Sequence, residues 1–267
     1  MNGVTIAGDH VPDAMIPVLQ PERLAWTRKL QLHDLDELKK AMLAAYDRLD
    51  LRIQQHIAGS GNPVACKKGC SWCCRGVKVE VQAAEALVIA ERISLDQRLR
   101  SALEAAASKR RTMKTTALAA SRAACPFLDQ DRCAIYDIRP ITCRNHCCTD
   151  AAGCKRAFER PELNVSLSLH MPAVAAASVS VLGMRWAFDD LGLDNRTFEL
   201  TNAVAVALQQ DSASKWFEGE RIFDEAVRPV DVEEANTAVA GPREHPLQEN
   251  RPARLAWKSH SRKRRKD

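Results

Sequence analysis

Apolar residues recur at intervals of three and four along most of this chain, a spacing that places them on one face of a helix. The clearest stretch begins at Asp34, with Glu37 three residues later as in a capping box, and predicts a helix over residues 34–58. The glycine-rich residues 59–63 end it. The same periodicity predicts further helices over residues 83–93, 94–120, 172–190 and 197–210, and a short one near 216–223.

Strand patterns are short and few. Val77, Val79 and Val81 alternate with small or charged residues, which predicts one short strand. In residues 125–136 two apolar arms flank a polar turn, which predicts a small hairpin with a cysteine on each arm. Only eight residues are Phe or Tyr, which favours small-residue helix packing over a β sandwich. We therefore predict a mainly α fold: a small, irregular, cysteine-rich metal-binding core with a short hairpin, packed among helices.

These patterns divide the chain into three parts. We predict an irregular N-terminal lead over residues 1–33, a single helix-rich domain over residues 34–228, and a disordered basic tail over residues 229–267. The whole chain carries a net charge of +5, but its last 17 residues alone carry +7, so the remaining 250 carry −2. The charge therefore does not indicate that the folded part of the chain binds nucleic acid, and any contact with RNA is expected through the tail.

The chain also shows no pattern typical of membrane insertion or export. Its longest apolar run, from Met171 to Met184, is interrupted by polar residues and is shorter than the roughly 20 residues of a membrane span. The first ten residues have neither the basic nor the apolar part of a signal peptide. We therefore expect a cytoplasmic protein without a membrane segment, whose thiols are reduced and serve as metal ligands rather than disulfides.

All ten cysteines lie between Cys66 and Cys154. Four of them fall within nine residues, and the spacing of Cys66, Cys70 and Cys73 lets a tight turn direct three thiols to one centre. The adjacent Cys74 is expected to diverge and to serve a second metal, bridge two metals or remain a spare thiol. Zinc and an iron-sulfur cluster such as a four-iron cluster are the occupants typical of all-sulfur ligation.

The second group of cysteines exceeds the needs of one four-ligand site. It comprises Cys125, Cys133, Cys143, Cys147, Cys148 and Cys154, with His146 available as a nitrogen ligand. Six basic residues near the cysteines could balance the negative charge of thiolates, or could be ordinary solvated surface; they are Lys67, Lys68, Arg75, Arg132, Arg139 and Arg144.

These motifs resemble the YkgJ family of cysteine-cluster proteins, a zinc- or iron-chelating domain whose pattern is CxxxCxxCC followed by CPFL…CxIYxxRPxxCR. The likeness covers about residues 66–148, and Tyr136, Arg139, Pro140 and Arg144 match the second motif. The resemblance implies that the protein binds zinc or an iron-sulfur cluster, through Cys66, Cys70, Cys73, Cys74, Cys125, Cys133 and Cys143. Cys147, Cys148 and Cys154 lie outside the core pattern and could build an additional site.

Three classes of function fit these residues. We favour a metal-binding module used in metal handling, electron transfer or structural organisation. An iron-sulfur enzyme is the alternative, because Cys66-x3-Cys70-x2-Cys73 is also similar to the radical SAM signature and a related cysteine cluster occurs in the flagellin lysine methylase FliB. The helices predicted downstream disfavour the radical SAM fold, which needs repeated β and α units. A zinc protein that associates with RNA through its basic tail is the third class.

Overall fold

The computed structural model describes residues 3–6, 9–75, 78–163 and 165–231. Of the basic tail predicted over residues 229–267, residues 232–267 lie outside the described residues. The mainly α prediction is confirmed, and the helices are α1 (Ile16–Leu30), α2 (Leu35–Ser60), α3 (Ala83–Ile93), α4 (Gln97–Arg110), α5 (Thr115–Ser121), α6 (Ile141–Arg144), α7 (Ala151–Glu159), α8 (Met171–Asp190), α9 (Leu200–Ala207) and α10 (Ser212–Phe217).

The strands form three separate antiparallel pairs within the described residues. The pairs are β1 (Gly3–Ile6) with β2 (Asp9–Pro12), β3 (Glu80–Gln82) with β6 (Thr197–Glu199), and β4 (Leu128–Asp129) with β5 (Arg132–Cys133). Short 3-10 helices cover Asp13–Met15, Tyr136–Ile138, Pro161–Leu163 and Ile222–Ala226. The predicted small hairpin is the β4–β5 pair, although Cys125 lies three residues before β4 rather than on it. Of the strand predicted on Val77, Val79 and Val81, only Val81 lies in β3; Val79 precedes it, and Val77 lies outside the described residues.

Helices α1, α2 and α8 pack against one another, as do α3, α4 and α9, and α2 also contacts α3. Close approach of α8 to α1 depends on small side chains: a Cβ at Gly183 would lie 2.5 Å from Cβ of Glu22. By length and composition alone, α8 is the one described helix that could cross a membrane. In this structure its alanine-rich face is buried against α1 and α2.

The irregular lead predicted for residues 1–33 is wrong, because it contains a β hairpin and the 15-residue helix α1. Two prolines, Pro17 and Pro21, obscured the helix. Pro17 lies in the first turn, where the missing N–H costs nothing, while Pro21 is tolerated inside the helix. Leu19, Trp26 and Leu30 do follow a helical spacing and are buried in the core.

The predicted helix over residues 94–120 is divided into α4 and α5. The N-cap of α4 is Asp96, whose carboxylate accepts a hydrogen bond from the Leu99 amide, so the helix begins three residues later than predicted. The helix ends at Arg110. Beyond it, the Arg228 side chain donates hydrogen bonds to the carbonyl oxygens of Arg110 and Met113, which no longer have partners within a helix. The chain then turns toward the second cysteine group.

Candidate metal centre

Backbone hydrogen bonds hold the two cysteine-rich segments against each other. The Cys125 amide donates to the Cys74 carbonyl at 2.7 Å, and the Ala65 amide donates to the Cys148 carbonyl at 2.8 Å. Both ends of the CxxxCxxCC motif are therefore paired with the second segment. The ten thiols are all free, with Cys147, Cys148 and Cys154 buried and the other seven partly exposed.

A cavity of about 300 Å³ lies between these segments. That volume corresponds to roughly ten water molecules at about 30 Å³ each, which is more than one metal ion occupies. Its walls are largely apolar and include Phe127, Ile135 and Leu200. Every cysteine of the predicted ligand set lines it, and so does Cys147: the eight are Cys66, Cys70, Cys73, Cys74, Cys125, Cys133, Cys143 and Cys147.

Four of these thiols come from three structural elements and lie within electrostatic reach of one another. We call Cys73, Cys125, Cys133 and Cys143 the hairpin group, because two of its members flank or belong to the β4–β5 hairpin. Burial raises the pKa of Cys143 well above its ordinary value, and thiolates at the other three positions raise it further. Burial and then Cys133 raise the pKa of Cys125 to about 11. Burial also raises the pKa of Cys133, with Cys73 contributing.

A second set of thiols meets at the start of α7. We call Cys66, Cys70, Cys148 and Cys154 the α7 group. The Cys66 sulfur accepts a hydrogen bond from the Cys148 amide at 3.1 Å. Burial first, then the adjacent Cys148 thiol, raises the pKa of Cys154, and thiolates at Cys66 and Cys70 add to the rise.

Cys66, Cys70 and Cys73, which sequence reasoning directed to one centre, all line this cavity, and thiolates at Cys70 and Cys73 add to the effect of burial in raising the pKa of Cys66. Cys66 and Cys70 also lie within electrostatic reach of Cys154 in α7, and Cys73 lies within reach of Cys133. Cys74 does not diverge from its neighbour as expected, because its thiol contacts that of Cys73 and is the largest cause of the raised pKa there. The Cys147 thiol, by contrast, is turned toward the Arg144 carbonyl at 3.3 Å.

Arg139 favours a thiolate at Cys133 of the hairpin group, as the buried Arg110 does at Cys125. Arg139 lines the cavity, and its charge lowers the pKa of Cys133, against the larger effect of burial. Arg75 and Arg144 are instead engaged in ion pairs, with Asp131 at 2.6 Å and with Asp50 at 2.5 Å. Only part of the predicted basic set is therefore directed toward the sulfur atoms.

Glu85 positions the helical turn that carries Cys143, and sequence reasoning missed it. This buried carboxylate accepts hydrogen bonds from the Ile141 amide at 2.7 Å, the Tyr46 hydroxyl at 3.1 Å and the Gln82 amide at 3.0 Å. Because Ile141 is the first residue of α6, Glu85 anchors the start of that turn. The signal was a single charge within the otherwise apolar residues 83–90.

His146 also fits a metal site. Its Nε2 atom is buried and has no hydrogen-bond partner among the described residues, and its side chain lines the cavity. Burial lowers the pKa of His146, which keeps the imidazole neutral and its free nitrogen able to coordinate.

The donor atoms therefore suit a soft metal in kind and number. Within the part of the chain that the structure describes, no three Cys, His, Asp or Glu side chains already stand in full ligand geometry. A metal that displaces the protons would bring the sulfur atoms together.

Comparison with known proteins agrees with this chemistry. Residues 65–165 match the family model CxxCxxCC, described as "Putative zinc- or iron-chelating domain". The matched stretch contains all ten cysteines and both thiol groups. No curated protein and no solved structure is similar to the chain at a significant level.

Proposed function

We propose that this chain, whose residues 65–165 form a zinc- or iron-chelating CxxCxxCC domain, holds an iron-sulfur cluster through the four thiolates of the hairpin group. The observation that carries the proposal is that Cys73, Cys125, Cys133 and Cys143 all line one cavity of about 300 Å³ and that thiolates at the first three positions raise the pKa of Cys143. A cavity of this size suits a cluster better than a single ion. Zinc is the alternative occupant, because four thiolates bind both.

The surroundings of the hairpin group favour a closed, electron-transferring or structural site. Four protein thiolates leave no open coordination position, and closed sites of this kind are typically not catalytic. Apolar walls and the Arg139 charge would set the redox potential and offset the negative charge of the thiolates. The radical-SAM-like alternative finds no support, because the described strands form only isolated antiparallel pairs.

The test is anaerobic purification of the full chain, followed by measurement of iron, acid-labile sulfide and zinc per chain and of the visible absorption spectrum. We expect iron and sulfide in similar amounts with broad absorbance, and loss of both in the Cys125→Ser/Cys143→Ser variant. Cys147→Ser is the matched control, since its hydroxyl can still donate to the Arg144 carbonyl. Colourless protein with zinc that the double variant loses would replace the cluster by zinc, and no metal at all would refute the proposal.

A further inference from the structure

We infer that the mouth of the cavity of about 300 Å³ is a docking surface for an acidic electron-transfer protein. The inference rests on the proposed function, since such a partner would exchange electrons with the cluster held by the hairpin group. It adds to that function the chemical class of the partner. The residues that carry it are Lys67, Lys68, Tyr136 and Arg139, which we call the mouth group.

The exposed residues of the cavity lining mark where the cavity opens to solvent. These residues are Lys67, Gly69, Asp131 and Tyr136. The apolar walls are instead buried in the core, since Phe127, Ile135 and Leu200 are at most 3% exposed. A partner protein can therefore approach the thiols through the mouth of the cavity and not through these walls.

The ring of Tyr136 brings together cations from two segments that are distant in sequence. Lys67 and Lys68 lie in the CxxxCxxCC loop, whereas Tyr136 begins the 3-10 helix that follows the β4–β5 hairpin. The Lys68 Nζ atom lies 5.7 Å from the centre of the Tyr136 ring, and the guanidinium carbon of Arg139 lies 4.0 Å from it. The mouth group is therefore one continuous patch of an aromatic ring and positive charges.

The charge of this patch is not neutralised by neighbouring carboxylates. Among the described residues, the two lysines and Arg139 form no ion pair. The Asp131 carboxylate also lines the cavity but is paired with Arg75 at 2.6 Å. Asp137 is exposed in the same 3-10 helix as Tyr136, so three positive charges against one negative leave a local charge of +2. The patch is thus complementary to an acidic surface.

An aromatic ring against an arginine, with lysines beside it, is typical of a surface that binds a protein. Tyr and Arg are enriched among the residues that contribute most of the binding energy at interfaces, while peripheral charges steer the partner and raise its association rate. Tyr136 has 37% of its surface exposed, so a partner can still cover it. An inorganic anion would use the charges alone, whereas an acidic protein uses both the charges and the ring.

The mouth group also lies next to the thiols of the hairpin group. Tyr136 follows Cys133 by three residues, and the Arg139 charge lowers the pKa of that cysteine. A partner docked on the ring would therefore lie close to the cluster. In the exchange, one electron passes from the reduced centre of the partner to the oxidised cluster, and no bond forms or breaks.

The experiment uses an acidic [2Fe–2S] ferredoxin as the probe and the anaerobically purified full chain as its target. Binding of oxidised ferredoxin is measured by calorimetry at low and at high ionic strength. Lys67→Gln/Lys68→Gln should weaken binding on the order of tenfold at low ionic strength and have little effect at high ionic strength, where charges are screened. Tyr136→Ala should weaken binding roughly tenfold under both conditions, because it removes a contact that salt does not screen.

Lys109→Gln/Lys215→Gln is the matched control. Both lysines are exposed, form no ion pair among the described residues and do not line the cavity. This variant removes the same charge but should bind the ferredoxin as wild type does. Reduced ferredoxin is then mixed with oxidised protein, and the absorbance of the cluster is followed. The rate of electron transfer should fall in the two mouth variants and not in the control.

Several outcomes would overturn the inference. It fails if wild type does not bind the ferredoxin, if the mouth variants bind it as well as wild type does, or if the control variant loses as much affinity as they do. Binding without electron transfer to a cluster that is present would also overturn it. Metal content separates this inference from the proposed function: zinc without iron would refute the cluster, while the calorimetric binding, which needs no cluster, would still decide whether the mouth is a docking surface.

Discussion

Replacement of Glu85 tests whether a buried carboxylate holds the α6 turn, and with it Cys143, in place. Glu85→Ala leaves three buried donors without an acceptor: the Ile141 amide, the Tyr46 hydroxyl and the Gln82 amide. Each orphaned donor costs roughly 1–3 kcal/mol, so the total is comparable with the stability of a typical domain. We expect Glu85→Ala to be unfolded or barely folded.

Glu85→Gln keeps the size of the side chain and removes only one of its three hydrogen bonds. An amide oxygen in place of Oε1 still accepts from Ile141 and Tyr46, whereas the new NH₂ group faces the Gln82 amide and cannot accept from it. One lost bond predicts a decrease of roughly 1–3 kcal/mol in the free energy of unfolding. The assay is urea denaturation followed by circular dichroism in reducing buffer with a chelator, so that metal binding does not contribute.

The free energy of unfolding that Glu85 contributes should also depend on pH, in a direction that can be predicted. Burial raises the pKa of Glu85 from its ordinary value of 4.5, against the lowering effect of its hydrogen bonds and of Arg144. The native state therefore retains a proton that the unfolded chain releases, and this part of the stability is lost as pH rises from about 4.5 through the folded-state pKa. The advantage of wild type over Glu85→Gln should shrink across that interval and then stay constant.

Glu91→Gln is the matched control in the same helix. Its ion pair with Lys39 at 2.9 Å is about one-third exposed on both sides, so its loss should cost less than about 1 kcal/mol. The reasoning is refuted if Glu85→Gln is no more destabilising than Glu91→Gln, or if Glu85→Ala retains wild-type stability.

Two further predictions concern the metal itself. Arg139→Gln should weaken metal binding to the hairpin group several-fold in a chelator competition, because it removes the charge that favours a Cys133 thiolate. Arg132→Gln, at an exposed position, is the control and should not weaken binding; equal affinities of the two variants would contradict this reasoning. Removal of metal by a chelator should leave the helical circular dichroism nearly unchanged while protease cleaves the cysteine-rich segments faster. The reason is that α1, α2 and α8 pack against one another mainly through aliphatic and aromatic side chains; global unfolding would contradict this.

Local patterns were sufficient to predict the elements whose stability is mostly local. Helix α2 begins where expected because the Asp34 carboxylate accepts from the Glu37 amide at 2.8 Å, and it ends at Gly61 with a φ of +64°. Helix α3 matches its predicted range over residues 83–93. The β3–β6 pairing was not predictable from either strand alone, because each has only three residues.

The grouping of the cysteines depended on contacts between distant parts of the chain. Spacing alone placed Cys66, Cys70 and Cys73 at one centre. In the structure the Leu169 pairing of Cys148 and the docking of α7 through Trp72 bring Cys148 and Cys154 near the first two of these thiols as well. No periodicity within the sequence encodes those contacts, so the sequence indicated the chemistry of the site but not these additional neighbours.

The loop that contains the CxxxCxxCC motif serves both thiol groups, and Gly69 gives a way to disturb both at once. A side chain at Gly69 would meet no atom within 4 Å, so the cost of Gly69→Ala comes only from its φ of +89°, roughly 1–2 kcal/mol. Because that residue turns the chain between Cys66 and the other cysteines of the loop, we expect the metal affinity of the protein to fall by about tenfold, since about 1.4 kcal/mol corresponds to a factor of ten.

Gly59→Ala is the matched control for this change. It also introduces a methyl group into open space, but at a helical position of α2 with ordinary backbone geometry, where alanine is favoured over glycine. Metal affinities of both variants are measured by competition with a chromophoric chelator. Equal affinities would show that the turn at Gly69 does not define the loop.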